Sequence, residues 1–455
     1  MTPRSGGRRS HTTKLIGCCS SASVWVVLLV SWLTTAALPQ LPVLTYTGGG
    51  DVPVISDAQR EASAGRGFEG GRAVRQPDGS VWLFTAEFQG LPVNANMRIA
   101  IWRANSTAAA AAAGGWERRT TIAASAGDPA DWNSTCRTDN LRAAPWAPFP
   151  VYDDSPGEGR WHVHWVSYAC DLSWCVRSGV GNILGAASTV AGIGGIGGPY
   201  ASYAGNSVVI GPNASTAAGS TATRFGDLGS CAVCHVAPKP GGAVPPFCAT
   251  PPCLFDNGKT GAAISAGPFA LPPGAAARFA SFVGLSHHVA WADSMRGPWT
   301  VGTAQQVGQD PMAKLSTPSA MYTENPVVSA LGAGLVATFD TVSPSGGWVV
   351  DGARGTWVPG GRGESFGFGM AFSVDGGLWS NGVDVRLPGG CRTPLGLLDG
   401  GDGTATMLFT RRFADCADQT LPAGSRGDAA NDPTMCANLY AATFNVSWRD
   451  WQPGE

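Results

Sequence analysis

Lysine is almost missing from this chain: four stand among 455 residues, and all charged residues together make up 14%. The 30 basic and 32 acidic side chains nearly cancel and lie scattered. A phosphate backbone selects a concentrated basic face, so nucleic acid is not an expected partner. Sustained apolar periodicity of the helical kind is also lacking, which disfavours a helical bundle. No phosphate loop, dinucleotide fingerprint or Ser-His-Asp arrangement stands in a supporting context. No cofactor and no metal is expected. Beyond the N-terminal segment, no run is long and apolar enough to span a membrane.

The abundant residues are Gly (63), Pro (33) and Trp (17), and 44% of the chain is hydrophobic. Such a composition predicts many short strands joined by turns. Most of the tryptophans read as core packing, with sugar stacking on an exposed indole as the sharper alternative.

Arg4, Arg8, Arg9 and Lys14 precede "SVWVVLLVSWLTTAA", an apolar segment that ends in small residues. This layout predicts a secretory signal over 1–37, or a signal anchor that makes the chain a type II membrane protein. Either delivers the remainder to an oxidising lumen or the cell exterior. Sequons at Asn105, Asn133, Asn213 and Asn445 agree with that compartment, as do ten further cysteines, an even number suited to disulfides.

A two-part phrase recurs down the chain. Its first half is a short apolar strand: "VWLFTAE" from Val81, "WHVHWVSY" from Trp161, "FASFVG" from Phe279, "LVATFD" from Leu335 and "TMLFT" from Thr406. Its second half follows in strict alternation: "RIAIWR" from Arg98, "NILGAAS" from Asn182, "HVAWADS" from His288, "GFGMAFSVDG" from Gly367 and "LYAATFNVSW" from Leu439. Each pair, with the turn segment ahead of it, reads as a small antiparallel sheet. Five such units predict an all-β fold, a five-bladed β-propeller over 67–449 with a lead-in over 38–66. A β-sandwich would not explain the repeated phrasing. "NSTAAAAAAGGW" reads as a loop without order. The segment 211–272, rich in Gly, Pro, Ala and Cys, reads as a cross-linked surface excursion.

In a propeller the segment leading into each unit faces a common axis. "TENPVV" places Glu324 at the fourth such position, "GFEGGRAV" places Glu69 and Arg72 at the first, and "TDNLRAAPWAPFPV" places Asp139 and Arg142 at the second. "FGDLGS", with Asp227, is the expected lead-in to the third unit, and "GGCRTPLGLL", with Arg392, to the fifth. Carboxylates facing each other across a polar cleft are what glycoside hydrolysis requires: one protonates the leaving oxygen, and the other activates water or attacks the anomeric carbon. The catalytic candidates are therefore Glu324, Glu69, Asp227 and Asp139. Arg72, Arg142, Asn325, Arg392 and Asp340 are the candidates for holding sugar.

These stretches, with "GIGGIGGPY", "HVAWADSMRGPWT" and "FGFGMAFSVDGGLWS", together resemble the five-bladed propeller glycosidases of glycoside hydrolase families 43 and 32. The likeness runs in pieces from Phe68 to Phe413. It implies a carbohydrate substrate and three acids: a base or nucleophile in the first blade, a middle Asp that orients and tunes, and a later Glu acid. Glu324, in its "ENP" setting, matches the acid. Glu69 stands where the family carries an Asp-Pro motif, and either Asp139 or Asp227 matches the middle Asp. The competing reading is a carbohydrate-binding propeller without the reaction.

"CAVCH" from Cys231 has the spacing of haem attachment, yet in a Gly/Pro-rich loop beside Cys248 and Cys253 disulfides are the better reading, with zinc second. His287 and His288 read as a packed or surface pair with one ring toward the channel as the alternative. "SVDGG" and "GGDGT" read as hairpin turns rather than calcium loops.

Overall fold

The computed structural model describes residues 40–90, 96–124, 145–168, 181–203, 209, 223–224, 266–283, 288–303, 323–341, 348–351, 356–359, 367–412 and 437–451. Nearly all of the regular structure among them is strand.

Every phrase found in the sequence is a strand, and each pair of phrases is hydrogen-bonded side by side. Val81–Phe88 pairs with Met97–Ala104, Arg160–Tyr168 with Gly181–Ala191, and Phe279–Val283 with His288–Ala292. Gly334–Thr341 pairs with Gly367–Ser373, and Thr404–Arg412 with Ala437–Asp450. All five pairs are antiparallel. An outer strand extends each sheet: Trp116–Ala124, Tyr200–Ser202, Trp299–Thr303 and Val383–Arg386 follow in sequence. For the last sheet the outer strand is Gln40–Gly49, which comes from the other end of the chain and pairs antiparallel with Ala437–Asp450.

On the opposite edge of each sheet lies a strand that precedes the first phrase: Gly67–Arg75, Pro145–Asp153, Ala266–Ala270, Thr323–Leu331 and Thr393–Asp399. These inner strands neighbour one another in a cycle, first to second, second to third, third to fourth, fourth to fifth and fifth back to first. Leu397 N–H donates to Ser329 Oγ at 3.1 Å across one such junction, and Arg75 reaches the Asp399 carbonyl at 2.8 Å across another. A single parallel bridge, Gly67 to Ala437, also joins the first and last sheets into one eight-stranded sheet. A Cβ on Gly67, whose φ is 111°, would lie 1.7 Å from the Ala437 carbonyl oxygen, so only glycine permits this closure.

Val81–Phe88 is buried along its whole length because neighbouring sheets cover both of its faces. Trp102, Trp116, Trp299 and Trp379 are fully buried, in line with their reading as core. The Asp-Gly stretches are turns: Asp375 Oδ1 accepts from the Gly377 and Leu378 amides, each at 2.8 Å.

Two expectations are corrected. "NSTAAAAAAGGW" is not an orderless loop: Ser106 Oγ caps a short helix, Thr107–Ala110, and Trp116 Nε1 donates to the Ala110 carbonyl at 2.9 Å. Alanine's high helix propensity and the Ser cap explain it. The inner strand of the third sheet is Ala266–Ala270, not "FGDLGS". Thr223–Arg224, just upstream of Asp227, pairs with Trp299–Thr303 on the opposite edge of that sheet. Asp227 itself, most of 211–265, "CAVCH" and the segment 1–37 lie outside the described residues.

Candidate active site at the ring of inner strands

An inner strand has its ladder on one side only, apart from the single Gly67–Ala437 bridge. Proline cannot donate to a ladder and is therefore tolerated on such an edge. Pro148, Pro150, Pro268, Pro326 and Pro394 all sit on inner strands. The prolines of "WAPFPV", "ENPVV" and "RTPLG" thus mark the ring.

Four inner strands carry a one-residue bulge: between Glu69 and Gly71, Trp146 and Phe149, Glu324 and Val327, and Pro394 and Gly396. Glu69, Trp146, Glu324 and Pro394 are the last paired residues before their bulges and so hold equivalent places. A bulge re-aims the chain, and such devices gather next to active sites. The residue after each of the first three is left-handed: Gly70 has φ 64°, Ala147 φ 45° and Asn325 φ 48°. Ala147 and Asn325 are the only non-glycine residues with positive φ among the described residues, and each precedes a proline, which disfavours helical backbone further. This strain is local to the ring. The first two bulges nest together, since a Cβ on Gly70 would lie 3.0 Å from that of Ala147. Thr85 Oγ1 holds the first bulge by donating to the Gly70 carbonyl at 2.9 Å.

Glu69 is buried, and Arg392 Nη2 donates to both of its carboxylate oxygens at 2.9 Å. The structure thus brings the first and fifth sheets' candidates together directly. Arg72 Nη1 donates to the carbonyls of Pro150 and Pro268, at 3.4 and 3.3 Å, on the second and third inner strands. Burial lowers the Arg72 guanidinium to about 10. It remains charged at neutral pH.

Glu324 stands opposite Asp340 in the register of the fourth sheet. The backbone of both is placed, while their side chains lie outside what the structure describes. Asn325 is buried on the bulge. Asp139 and Arg142 lie outside the described residues, as does His287. His288 opens its strand as expected.

Sequence reasoning passed over two buried polar groups away from the ring. Glu87, fully buried, accepts from Trp102 Nε1 at 2.9 Å and Arg118 Nε at 3.0 Å, and pairs with Arg98. The signal was there: Glu87 faces Arg98 once the two phrases are paired. Between the second and third sheets, His162 Nδ1 and Tyr203 Oη lie 2.6 Å apart, and His164 Nε2 lies 3.0 Å from the Met295 carbonyl. Burial pushes His162 down to about 4 and His164 to about 3, so both are neutral at pH 7. Their spacing, two apart on one strand, puts both rings on one face, but nothing in the sequence marks which neighbour they meet.

No protein-family model matches the chain, and no curated protein matches it in sequence. Among solved structures it is similar to a family 43 β-1,3-galactosidase, at 12% identity and a TM-score of 0.43, covering 91% of this chain and 64% of that one. The chain therefore spans less than two thirds of that protein's length. An α-L-arabinofuranosidase from Lactobacillus brevis is similar at 13% identity and a TM-score of 0.39, over 84% of this chain and 92% of that one. A family 117 glycoside hydrolase from the marine bacterium Zobellia galactanivorans is similar at 11% identity and a TM-score of 0.40, over 90% and 91%. Likenesses at this level transfer no residue's role.

Proposed function

We propose that this chain is a five-bladed propeller glycoside hydrolase of the secretory pathway, with Glu324 as proton donor and Glu69 as base or nucleophile. The observation that carries the reading is positional. Glu69 and Glu324 stand at equivalent places, immediately before matching bulges, on two inner strands of one cycle. Carboxylates delivered from separate sheets to one ring are the arrangement that acid/base cleavage of a glycosidic bond needs. The cyclic order of the five inner strands supports the five blades.

Roles divide by surroundings. Both oxygens of Glu69 accept from Arg392, which suits Glu69 to take a proton or attack rather than to donate. Glu324 is then left to protonate the leaving oxygen. Asp340, opposite it in the backbone register, is a further candidate for holding sugar. Asn325 and the arginines would hold hydroxyls or a carboxylate of the sugar. Asp139 and Asp227 stay as candidates for the middle Asp.

A second reading, a carbohydrate-binding propeller without turnover, is favoured by that same Arg392 grip on Glu69, which would also serve a purely structural ion pair.

Hydrolysis of a panel of aryl furanosides and pyranosides by the secreted chain, beside Glu324→Gln, separates the two. Wild-type turnover that falls by about 100- to 10,000-fold in the folded variant is expected for loss of a general acid. Sugar binding without turnover, indifferent to the substitution, would favour the second reading.

A further inference from the structure

Among the described residues of the ring, the positive charge of Arg72 has no counter-ion. Arg392 is matched by Glu69, and Arg98 and Arg118 by Glu87. Among the described residues no carboxylate lies within ion-pair distance of Arg72, and its Nε is buried without an acceptor. Its contacts are two backbone carbonyls at 3.3 and 3.4 Å. Those carbonyls belong to the second and third inner strands, so the side chain extends from the first inner strand toward the middle of the cycle. Desolvation acts on it with no neighbouring negative charge to offset it. Arg72 is half-buried as a residue while its guanidinium is withdrawn among the inner strands, and a cation so placed is costly unless paired. A neutral sugar, whose hydroxyls could be held by uncharged donors, gives no reason to keep one here.

We infer that the glycan recognised at this ring is acidic, and that Arg72 holds the carboxylate or sulfate group of one of its sugars. The inference rests on the reading of the ring as a carbohydrate site, and it narrows the substrate class. A guanidinium matches a planar carboxylate or a sulfate through paired N–H donors, and the pairing is strongest where water is excluded. Arg72 stands three residues beyond Glu69 on the same strand. The anionic group would therefore lie beside the sugar that meets the proposed base.

Isothermal titration of the full chain with three trisaccharides, of galacturonic acid, of sulfated galactose and of galactose, tests it. At least one acidic probe is expected to bind ten-fold or more tighter than the neutral one, since a charged hydrogen bond is worth at least that ratio. The uronate and sulfate arms decide which anion is read. In Arg72→Gln the preference should vanish, and Arg72→Lys should keep part of it. Thermal melting of both variants checks that they fold. Equal affinity for acidic and neutral probes, a preference that survives in Arg72→Gln, or no binding of any probe would overturn the inference. The aryl-glycoside assay fails separately. Acid-selective binding without turnover would remove the reaction and keep the acidic ligand. Turnover of neutral glycosides without acid preference would do the reverse.

Discussion

Glu87 shows how a charge can be wholly internal and still tolerable. Its oxygens are met by Trp102 and Arg118, and by Arg98, whose other nitrogen donates to the Ser63 carbonyl at 2.6 Å. Removing the charge leaves two half-buried guanidinium groups without their partner. Glu87→Gln is expected to destabilise the fold by about 2 to 4 kcal/mol, read from the denaturant midpoint. The histidine pair sets a pH dependence. Both rings are held neutral by burial, so their folded values, about 4 and about 3, lie below the ordinary 6.5. Between those limits the unfolded chain binds more protons than the folded one, so stability falls as pH drops from about 6.5 toward 4. A melting temperature that decreases over this window is expected, with the decrease reduced in His164→Asn. A melting temperature that rises on acidification would mean the rings are charged in the folded protein.

At the scale of elements, the strands on either side of each first hairpin were legible because they are apolar, repeated and bounded by turns. "WHVHWVSY" differs from the observed Arg160–Tyr168 by one residue. The inner strands were legible only where a Glu or a Pro-bearing motif marked them. Ala266–Ala270, "AGPFA", was hidden: five small or apolar residues show no alternation and sit within a stretch of similar composition. The outer strand Gln40–Gly49 was equally hidden, because its partner lies some 400 residues further along the chain. Glycine makes a testable contrast. Gly67 and Gly79 both have positive φ, at 111° and 85°, but a Cβ meets backbone only at the first, while the second has nothing within 4 Å. Gly79→Ala is expected to cost about 1 kcal/mol from backbone strain alone. Gly67→Ala adds a clash at the junction of first and last sheets and should cost about 3 kcal/mol or more. Equal losses would mean that the single bridge at Gly67 does not hold the closure.

The whole molecule adds what no single sheet contains: a cycle that brings residues distant in sequence to one centre. Glu69 and Arg392 are 323 positions apart, yet their side chains meet at 2.9 Å. The site was therefore legible only in part. Glu69, Glu324 and Arg72 could be singled out from their motifs. That Arg392 would grip Glu69, and that Arg72 would meet no carboxylate among the described residues, depended on side-chain directions that a linear pattern does not carry. The central claim is that Glu69 and Glu324 form a working pair across the ring, and the separation of their carboxyl groups in a crystal structure tests it most directly. A distance of about 5 to 10 Å is expected, with the lower end indicating retention of anomeric configuration and the upper end inversion. Carboxyl groups clearly farther apart, or a Glu324 held in an arginine pair of its own on a different side of the ring, would contradict it.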